Sequence, residues 1–479
     1  MKKELAIILL LTALSGVLHF WRLGFPPTVV FDEAHFTSYA THYASRTGFY
    51  DIHPPLGKML YAGVVRAMGV KEPRDFIRFW RTADGEFKME SDGGKPYGSF
   101  PYLALRTLSA IVGIALVPML YIFARLLGFG ALGAGLTGLF LALDNGMLLQ
   151  TRLVLLDGFT LFFGVLGLIL FIAKDALRLN HKKQTAAAIM AALTLGLAGA
   201  VKLTGFGFVL GVLIAALIVE YKNRRIPAMH HTFSLAPLGL KKFVALAMVP
   251  FFALFAVHRM VVPLDQELAF WHILLNNNGA AGARAFLTSI RALPLGELAA
   301  NGLGYIGDIF FSIGGNLTSG DHPSRSFFFT WPLNYRAVIY WYTPSQDAFI
   351  YFLGNIILWP LSGMVTVLVA ARALFKRVFP DASTTFLLAL FFANFLPFSI
   401  FIANGRPTYM YHYLAALLFA VMLLAKELTA LVNGSSRKIA AITLGAIVTL
   451  VIFGFLITAP LTYGFPTPSW LSMLTHATF

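Results

Sequence analysis

The chain contains about eleven runs of apolar residues, each long enough to cross a lipid bilayer as a helix. About 17–25 helical residues span the roughly 30 Å of hydrocarbon. Hydrophobic residues make up 58% of the sequence and charged residues only 12%, which leaves too few polar side chains to cover a water-facing surface. The sequence therefore predicts an all-α polytopic membrane protein. The expected spans are 5–22, 101–123, 131–148, 153–173, 185–200, 203–220, 242–262, 348–371, 383–403, 409–425 and 438–459.

The basic residues are distributed unevenly between the two sides of these spans. The formal net charge is +15, and about half of the 37 Lys and Arg residues lie in alternate connecting segments, beginning with Lys2 and Lys3. This positive-inside pattern predicts a cytoplasmic amino terminus. The basic excess then reflects topology and contact with anionic membrane lipids rather than nucleic-acid binding. The absence of cysteine excludes disulfide bonds and thiolate metal sites.

The spans divide the chain into membrane segments and two long outer loops. In the first loop, apolar and basic residues alternate at helical spacing from Gly57 to Arg81. This spacing is equally typical of a helix lying along the membrane surface and of an amphipathic helix packed on the loop. The predicted segments are a first helix (1–22), a first outer loop (23–100), helices two to seven (101–262), a second outer loop (263–347), helices eight to eleven (348–459) and an outer tail (460–479).

Ionisable residues are rare in the middle of the spans and collect at their outer ends. Buried charge near hydrocarbon is costly and usually functional. Transport through the membrane would place charge near the midplane, so this distribution favours a reaction site at the outer membrane boundary. The residues concerned are Asp32, Glu33, Arg152, Lys202 and Arg406.

The most specific sequence signal is an acidic pair followed by a rigid His-Pro-Pro turn. Phe31-Asp32-Glu33-Ala34-His35-Phe36 is followed by Asp51-Ile52-His53-Pro54-Pro55-Leu56-Gly57-Lys58. This pattern resembles the first outer loop of the protein O-mannosyltransferases, which are membrane glycosyltransferases of the GT-C fold. Further matches in chain order are Gln150-Thr151-Arg152 to Asp157, Gly199 to Gly205 around Lys202, His322-Pro323 to Trp331-Pro332-Leu333, and Arg406 with Tyr411-His412-Tyr413-Leu414.

The resemblance implies a prokaryotic form acting in the plasma membrane, with its active site outside the cytoplasm. Eukaryotic members carry a β-trefoil MIR domain between their membrane halves, and 263–347 is too short for one. The implied reaction moves mannose from a polyprenyl-phosphate donor to Ser or Thr of exported proteins, with inversion at the anomeric carbon. In this reading Asp32 is the general base, and Glu33 orients the acceptor or the base. A dimer is possible.

The leaving lipid phosphate requires positive groups near the outer boundary. We expect Arg152, Lys202, Arg406 and His412 to bind it, although each cation is equally suited to cap a helix or reach the lipid headgroups. Asp157 is expected to pair with Arg152.

The remaining histidines are expected in supporting roles. His35, His53 and His322 suit hydrogen bonding in the substrate loops. No tight zinc-binding spacing is present, so we predict no cofactor and no metal site, with a divalent cation as the open alternative.

Two other functions remain compatible with the sequence. One is a different GT-C transferase that uses a lipid-phosphate sugar to modify lipid A or another glycan. The other is a transporter or lipid flippase. Mannose itself rests on the family resemblance.

Overall fold

The computed structural model describes residues 2–49, 51–81, 87–91, 93–177, 179–225, 233–262, 295–315, 324–343, 347–375 and 381–468, with 292, 345 and 471. The chain is predominantly helical within these ranges. The helices are α1 Lys2–Phe20, α2 Glu33–Ser45, α3 Leu56–Ala67, α4 Tyr102–Leu126, α5 Ala131–Ala142, α6 Asn145–Gln150, α7 Asp157–Ala176, α8 His181–Val201, α9 Phe206–Arg225, α10 Gly239–Val261, α11 Gly296–Gly315, α12 Leu358–Phe375, α13 Ala382–Phe395, α14 Phe398–Ala403, α15 Leu414–Asn433 and α16 Arg437–Tyr463.

Two short antiparallel hairpins belong to the outer loops. In the first hairpin, β1 Ile77–Arg81 pairs with β2 Phe87–Ser91, and in the second, β3 Val338–Thr343 pairs with β4 Ala348–Phe352. The register of the second hairpin shifts between Ile339 and Trp341, so Tyr340 is the extra residue of a β-bulge. Bulges redirect a side chain out of the regular alternation of a strand.

Ten segments of the described chain are long and apolar enough to cross a membrane, which confirms the predicted polytopic helical architecture. At the centre α7 packs against α4 and α8, and α13 packs against α9 and α15. Helix α15 is largely surrounded by protein, whereas α1 and α16 leave most of their apolar surface exposed. Outward-facing leucine, isoleucine and phenylalanine side chains on these two helices are what a lipid solvent requires.

Three sequence-predicted elements have different boundaries in the structure. The expected span 131–148 is instead α5 followed by α6, because Asp144 starts a new helix by accepting the Met147 N–H at 2.7 Å. The expected span 348–371 opens with strand β4, whose aromatic and branched residues favour a sheet. The expected helix at 57–81 ends with α3, and β1 follows.

Charged side chains tie helix ends together at the side where the basic segments were predicted. Arg125 at the end of α4 lies 3.0 Å from Glu4 at the start of α1. Lys426 near the end of α15 lies 2.6 Å from Asp381, the residue that caps α13. These contacts join the start of α1 to the end of α4, and α15 to the start of α13.

The opposite end receives the first outer loop. Helix α3 packs against α2, α4 and α8. Gly57 in α3 lies so close to α7 and α8 that a Cβ atom there would stand 2.6 Å from a methyl group of Leu156 and 3.1 Å from Val201. The loop is therefore fitted directly onto the helix ends that carry Asp157 and Lys202.

Candidate active site

Asp32 occupies the position just before α2, at the end of the bundle that carries the outer loops. It is the N-cap residue, yet its side chain makes no capping hydrogen bond. The residue is half-buried, so the carboxylate retains access to solvent or substrate. Burial raises the pKa of the Asp32 carboxyl. His35 and Lys202 oppose the rise, whereas the negative charges of Asp157 and Asp51 add to it.

The backbone before Asp32 is held in a strained conformation. Phe31 has a φ of 50°, a left-handed conformation that disfavours a bulky side chain. Its ring stacks on Tyr340 with the centroids 4.0 Å apart and the planes at 6°, and its N–H donates to the Tyr340 carbonyl at 3.1 Å. The second outer loop thereby fixes the position of Asp32.

Glu33, which was expected to orient the acceptor or the base, lies inside the protein at the start of α2. It is fully buried, and its two oxygens accept the Arg106 guanidinium at 2.8 and 2.6 Å. The Val154 N–H at 3.0 Å, the Val30 N–H at 3.1 Å and the Tyr97 hydroxyl at 3.1 Å also donate to it. A carboxylate with every oxygen engaged inside the protein does not serve a substrate, and Glu33 instead anchors α2 to α4 and to the turn before α7.

Lys202 is a buried cation in the turn between α8 and α9, and its charge acts on Asp32. Its ammonium lies 2.9 Å from Asp157 and 5.5 Å from the centre of the Tyr411 ring. Asp157 was predicted to pair with Arg152, but it pairs with Lys202 and accepts the Gln150 amide at 2.7 Å. Tyr411 also contacts the Phe31 ring at 6.0 Å, which joins the Lys202 and Asp32 sides of the site.

The segment before α15 supplies the remaining groups on this side. The Tyr409 backbone N–H donates to Nδ1 of His412 at 3.0 Å. Burial raises the pKa of Tyr409 to about 12, with the negative Asp32 adding to the rise and the positive Arg406 opposing it. Arg406 is half-buried, and its charge therefore lies on the same side of the site as Asp32.

A cavity of about 280 Å³ opens between these groups and the apolar helices. Its polar end is formed by Asp157, Tyr411 and His412, and its apolar wall comes from α9, α13, α14 and α15. A second, apolar groove of about 540 Å³ shares Leu210 and Ala393 with the cavity. We call these the polar cavity and the apolar groove.

The apolar groove follows two helices away from the polar cavity. Leu210, Ile214 and Ile218 line it from successive turns of α9, and a helix rises 1.5 Å per residue. The facing wall is α13, and Leu374 near the end of α12 closes the far side. Together, the polar cavity and the apolar groove form a continuous path from the end of the bundle into the membrane-spanning region.

Arg152 lies apart from this group, contrary to its predicted role beside the lipid phosphate. The residue is 3% exposed, and its guanidinium donates to the Trp21 carbonyl at 2.5 Å and stacks over Tyr463 at 4.6 Å. Burial lowers its pKa to about 10. These contacts make Arg152 a link between the ends of α1 and α16.

The Asp-x-His-Pro-Pro motif forms a polar cluster next to Asp32. Lys58 donates to Asp51 at 2.8 Å and to the His53 carbonyl at 2.6 Å. Burial opposes ionisation of Asp51, but the adjacent Lys58 ammonium outweighs it and lowers the pKa of the carboxyl. Burial lowers the pKa of His53 to about 3, so its ring is neutral. The charge of His35 reaches both Asp32 and Asp51.

The other predictions concern His322 and a metal. His322 lies outside the residues that the structure describes. Within the described ranges, no group of three or more His, Asp or Glu side chains is arranged to hold a metal ion.

Sequence reasoning missed three residues that organise the site. Arg106 lies inside an apolar run, where a charge is a signal for a buried partner, and that partner is Glu33. Gln150 belongs to a quoted motif, but its bonding to Asp157 depends on a turn that the sequence does not specify. Tyr340 reaches Gln150 across 190 positions, and a β-bulge directs it there.

Solved structures with the same fold are membrane glycosyltransferases. The chain is similar to a chain of the S. cerevisiae protein O-mannosyltransferase Pmt1-Pmt2 complex bound to the sugar donor, with a TM-score of 0.78, 16% identity and coverage of 99% of this chain and 92% of that chain. It is also similar to the oligosaccharyltransferase of Archaeoglobus fulgidus, with a TM-score of 0.52, 17% identity and coverage of 99% and 57%. The fold is thus that of a GT-C glycosyltransferase.

Sequence models identify the family. Residues 9–273 match the family model for dolichyl-phosphate-mannose-protein mannosyltransferase, and residues 310–478 match the C-terminal four-transmembrane region of protein O-mannosyltransferase. The chain belongs to the protein O-mannosyltransferase family, as its motifs predicted.

Curated relatives match over part of their length. Dolichyl-phosphate-mannose–protein mannosyltransferase 4 of Candida albicans is 38% identical over 156 residues, or 32% of this chain and 19% of the relative. Protein O-mannosyltransferase 1 of Drosophila pseudoobscura pseudoobscura is 34% identical over 190 residues, or 39% of this chain and 19% of the relative. The matched segments therefore span about a fifth of these relatives.

Proposed function

We propose that this protein transfers mannose from a polyprenyl-phosphate donor to Ser or Thr hydroxyls of exported proteins. The observation that carries the proposal is that Asp32 and the Lys202–Asp157 ion pair influence each other electrostatically, with Asp157 lining a polar cavity that continues into an apolar groove. A lipid-linked sugar phosphate needs an apolar path for its chain, a cation for its phosphate and a base for its acceptor. The described residues supply all three within one region of the molecule.

Asp32 acts as the general base in this proposal. The acceptor oxygen attacks the anomeric carbon of mannose, and its proton passes to an Asp32 oxygen. As the new C–O bond forms, the bond between the anomeric carbon and the phosphate oxygen breaks, and its electron pair stays on the phosphate. A single base opposite the leaving group produces inversion without a covalent intermediate. The raised pKa of Asp32 makes it a stronger base than an exposed aspartate.

Lys202 stabilises the departing phosphate. Its ammonium has one partner on the protein side, Asp157 at 2.9 Å, and an ammonium carries three N–H donors. In a partly dry site a positive charge stabilises a phosphate more strongly than it does in water. Arg406 and His412 stand on the same side as candidates for a second contact.

The apolar groove accommodates the polyprenyl chain. Its lining is almost wholly aliphatic and aromatic, and it begins where the polar cavity ends, at Leu210 and Ala393. Burial of apolar surface contributes about 25 cal/mol per Å², so a long isoprenoid chain gains affinity along the whole groove. The phosphate then comes to rest at the polar end, near Lys202.

The positive-inside pattern supports a cytoplasmic amino terminus, with the site on the extracytoplasmic face of the plasma membrane. Exported proteins present their Ser and Thr residues on that face. The Pmt1-Pmt2 complex contains two chains, which supports a dimer for this protein as well.

The test is transfer of radiolabelled mannose by the purified full-length chain from polyprenyl-phosphate mannose to a Ser/Thr-rich peptide. Asp32→Asn keeps the size of the side chain but removes the base, and we expect transfer to fall by roughly 10²–10⁴-fold. Binding of polyprenyl phosphate should persist, because Lys202 is unchanged. Asp75→Asn is the matched control, since Asp75 lies on the same loop with 62% of its side chain exposed, and it should retain activity.

The label also separates this function from its alternatives. Label in a lipid or glycan acceptor instead of the peptide would support a different GT-C transferase. Full turnover in Asp32→Asn would refute the assignment of the base. Movement of the donor across vesicle membranes without any transfer would identify a transporter.

A further inference from the structure

Four side chains form a continuous hydrogen-bonded relay between the second outer loop and Lys202. The Tyr340 hydroxyl donates to Gln150 Oε1 at 2.7 Å, and Gln150 Nε2 donates to Asp157 Oδ2 at 2.7 Å. Asp157 Oδ1 accepts from Lys202 Nζ at 2.9 Å. We call this chain the Tyr340 relay. Its members come from β3, the end of α6, the start of α7 and the turn after α8.

Tyr340 also contacts the segment that carries Asp32. Its ring stacks on Phe31, and its carbonyl accepts the Phe31 N–H at 3.1 Å. The β-bulge frees Tyr340 from the strand register, so that the backbone faces Phe31 while the hydroxyl reaches Gln150. Tyr340 therefore contacts both Phe31, which precedes Asp32, and Gln150, which bonds to the partner of Lys202.

The Tyr340 hydroxyl determines which end of the Gln150 amide faces Asp157. A hydroxyl that donates to Oε1 requires the amide NH₂ to point toward the carboxylate. Burial raises the pKa of Tyr340 well above its ordinary value, so the hydroxyl keeps its proton. Without that bond Gln150 Oε1 loses its buried donor, and the amide is held less firmly in the orientation in which its NH₂ donates to Asp157.

The bond from Gln150 changes how strongly Asp157 holds Lys202. A carboxylate with two donors spreads its charge over both, whereas a carboxylate that has lost one donor attracts the remaining cation more strongly. Tyr340 is 5% exposed and Gln150 is 2% exposed. Because both residues are buried, water does not readily replace a hydrogen-bond donor that is lost there. Loss of the relay therefore draws Lys202 toward Asp157 and away from a bound phosphate.

We propose that Tyr340 and Gln150 are positioning residues that hold Lys202 ready for the donor phosphate while Tyr340 fixes the backbone at Asp32. This inference rests on the proposed function and deepens it, because it names how one outer loop sets both halves of the site. Neither residue is placed in contact with the sugar, the phosphate or the acceptor.

The test compares Tyr340→Phe, Gln150→Leu and Asp157→Asn in the full-length chain. Tyr340→Phe keeps the ring that stacks on Phe31 and removes only the hydroxyl. A hydrogen bond to a charged network contributes about 1.5 kcal/mol, or about tenfold. We expect the donor KM, and the Kd for polyprenyl phosphate without sugar, to rise about tenfold while the acceptor KM stays constant. Tyr342→Phe, on the same strand with its ring 44% exposed, is the control.

A double-mutant cycle distinguishes the relay from simple packing. Once Asp157→Asn has removed the carboxylate that Gln150 supports, adding Tyr340→Phe should change donor affinity by less than about twofold. If the effects of Tyr340→Phe and Asp157→Asn on donor affinity were fully additive, the relay would be overturned. Wild-type donor affinity in both Tyr340→Phe and Gln150→Leu would overturn it as well. The polyprenyl phosphate measurement needs no turnover, so it reports on the relay even if the chain transfers no mannose, an outcome that would contradict the proposed function instead.

Discussion

At the scale of single residues, the two acids of the Asp-Glu pair have opposite environments although they are neighbours. The Asp32 side chain makes no capping hydrogen bond and the residue is half-buried, whereas Glu33 is fully enclosed with Arg106. A buried ion pair is costly to break, because removal of one partner leaves an uncompensated charge. The pair therefore combines one residue available for chemistry with one residue that holds it in place.

The same environment predicts the pH dependence of transfer. A base works only when it is deprotonated, so activity should fall as the pH drops through the pKa of Asp32. Because burial raises that pKa, the fall should begin at a higher pH than for an exposed aspartate and approach tenfold per pH unit. His53, with a pKa of about 3, is already neutral in that range.

The measurement is a profile of kcat/KM against pH at saturating peptide, with polyprenyl phosphate binding measured in parallel. The binding measurement separates a loss of the donor site at acidic pH from protonation of the base. A rate that is flat with pH, or that rises on acidification, would be incompatible with Asp32 as the base.

At the scale of elements, the sequence predicted the membrane helices well because each apolar run carries its own signal. It failed where an element depends on distant partners. The break between α5 and α6 depends on Asp144, which accepts not only from Met147 but also from Trp359 at 2.6 Å. The candidate site follows the same rule. Asp32 and Lys202 lie at helix ends, where the apolar pattern placed them, whereas the direction of the Arg152 side chain depends on packing with Trp21 and Tyr463.

The fit of α3 against the bundle gives a prediction for an element. Gly57→Ala would place a methyl group 2.6 Å from Leu156, which is fully buried. Overpacking of this kind costs about 1–3 kcal/mol, and the displacement would shift the helix ends that carry Asp157 and Lys202. We expect a lower melting temperature and a several-fold lower kcat.

Gly63→Ala in the same helix is the matched control. A Cβ atom there meets nothing within 4 Å, and alanine favours a helix over glycine by about 1 kcal/mol. This variant should be as stable as the wild type or more stable, with unchanged turnover. Equal losses in both variants would show that α3 is sensitive to any substitution and not to the contact with Leu156.

At the scale of the whole molecule, the polar cavity and the apolar groove align with the two environments that a membrane enzyme meets. The polar end lies where the outer loops close over the bundle, and the groove runs along α9 and α13 through the membrane-spanning region. A donor with a charged head and a long apolar tail is thereby oriented by the solvent before any specific contact forms. The fold determines which end of the donor faces Asp32.

This arrangement predicts that affinity depends on the length of the lipid. Ala389 lines the apolar groove away from the polar cavity, so Ala389→Trp should obstruct the tail without touching the phosphate site. We expect the KM to rise about tenfold or more for a long polyprenyl donor and to change little for a donor with one or two isoprene units. Leu368→Trp is the control, because Leu368 is 55% exposed on α12 and faces outward. An equal rise in KM for short and long donors would place the tail outside this groove.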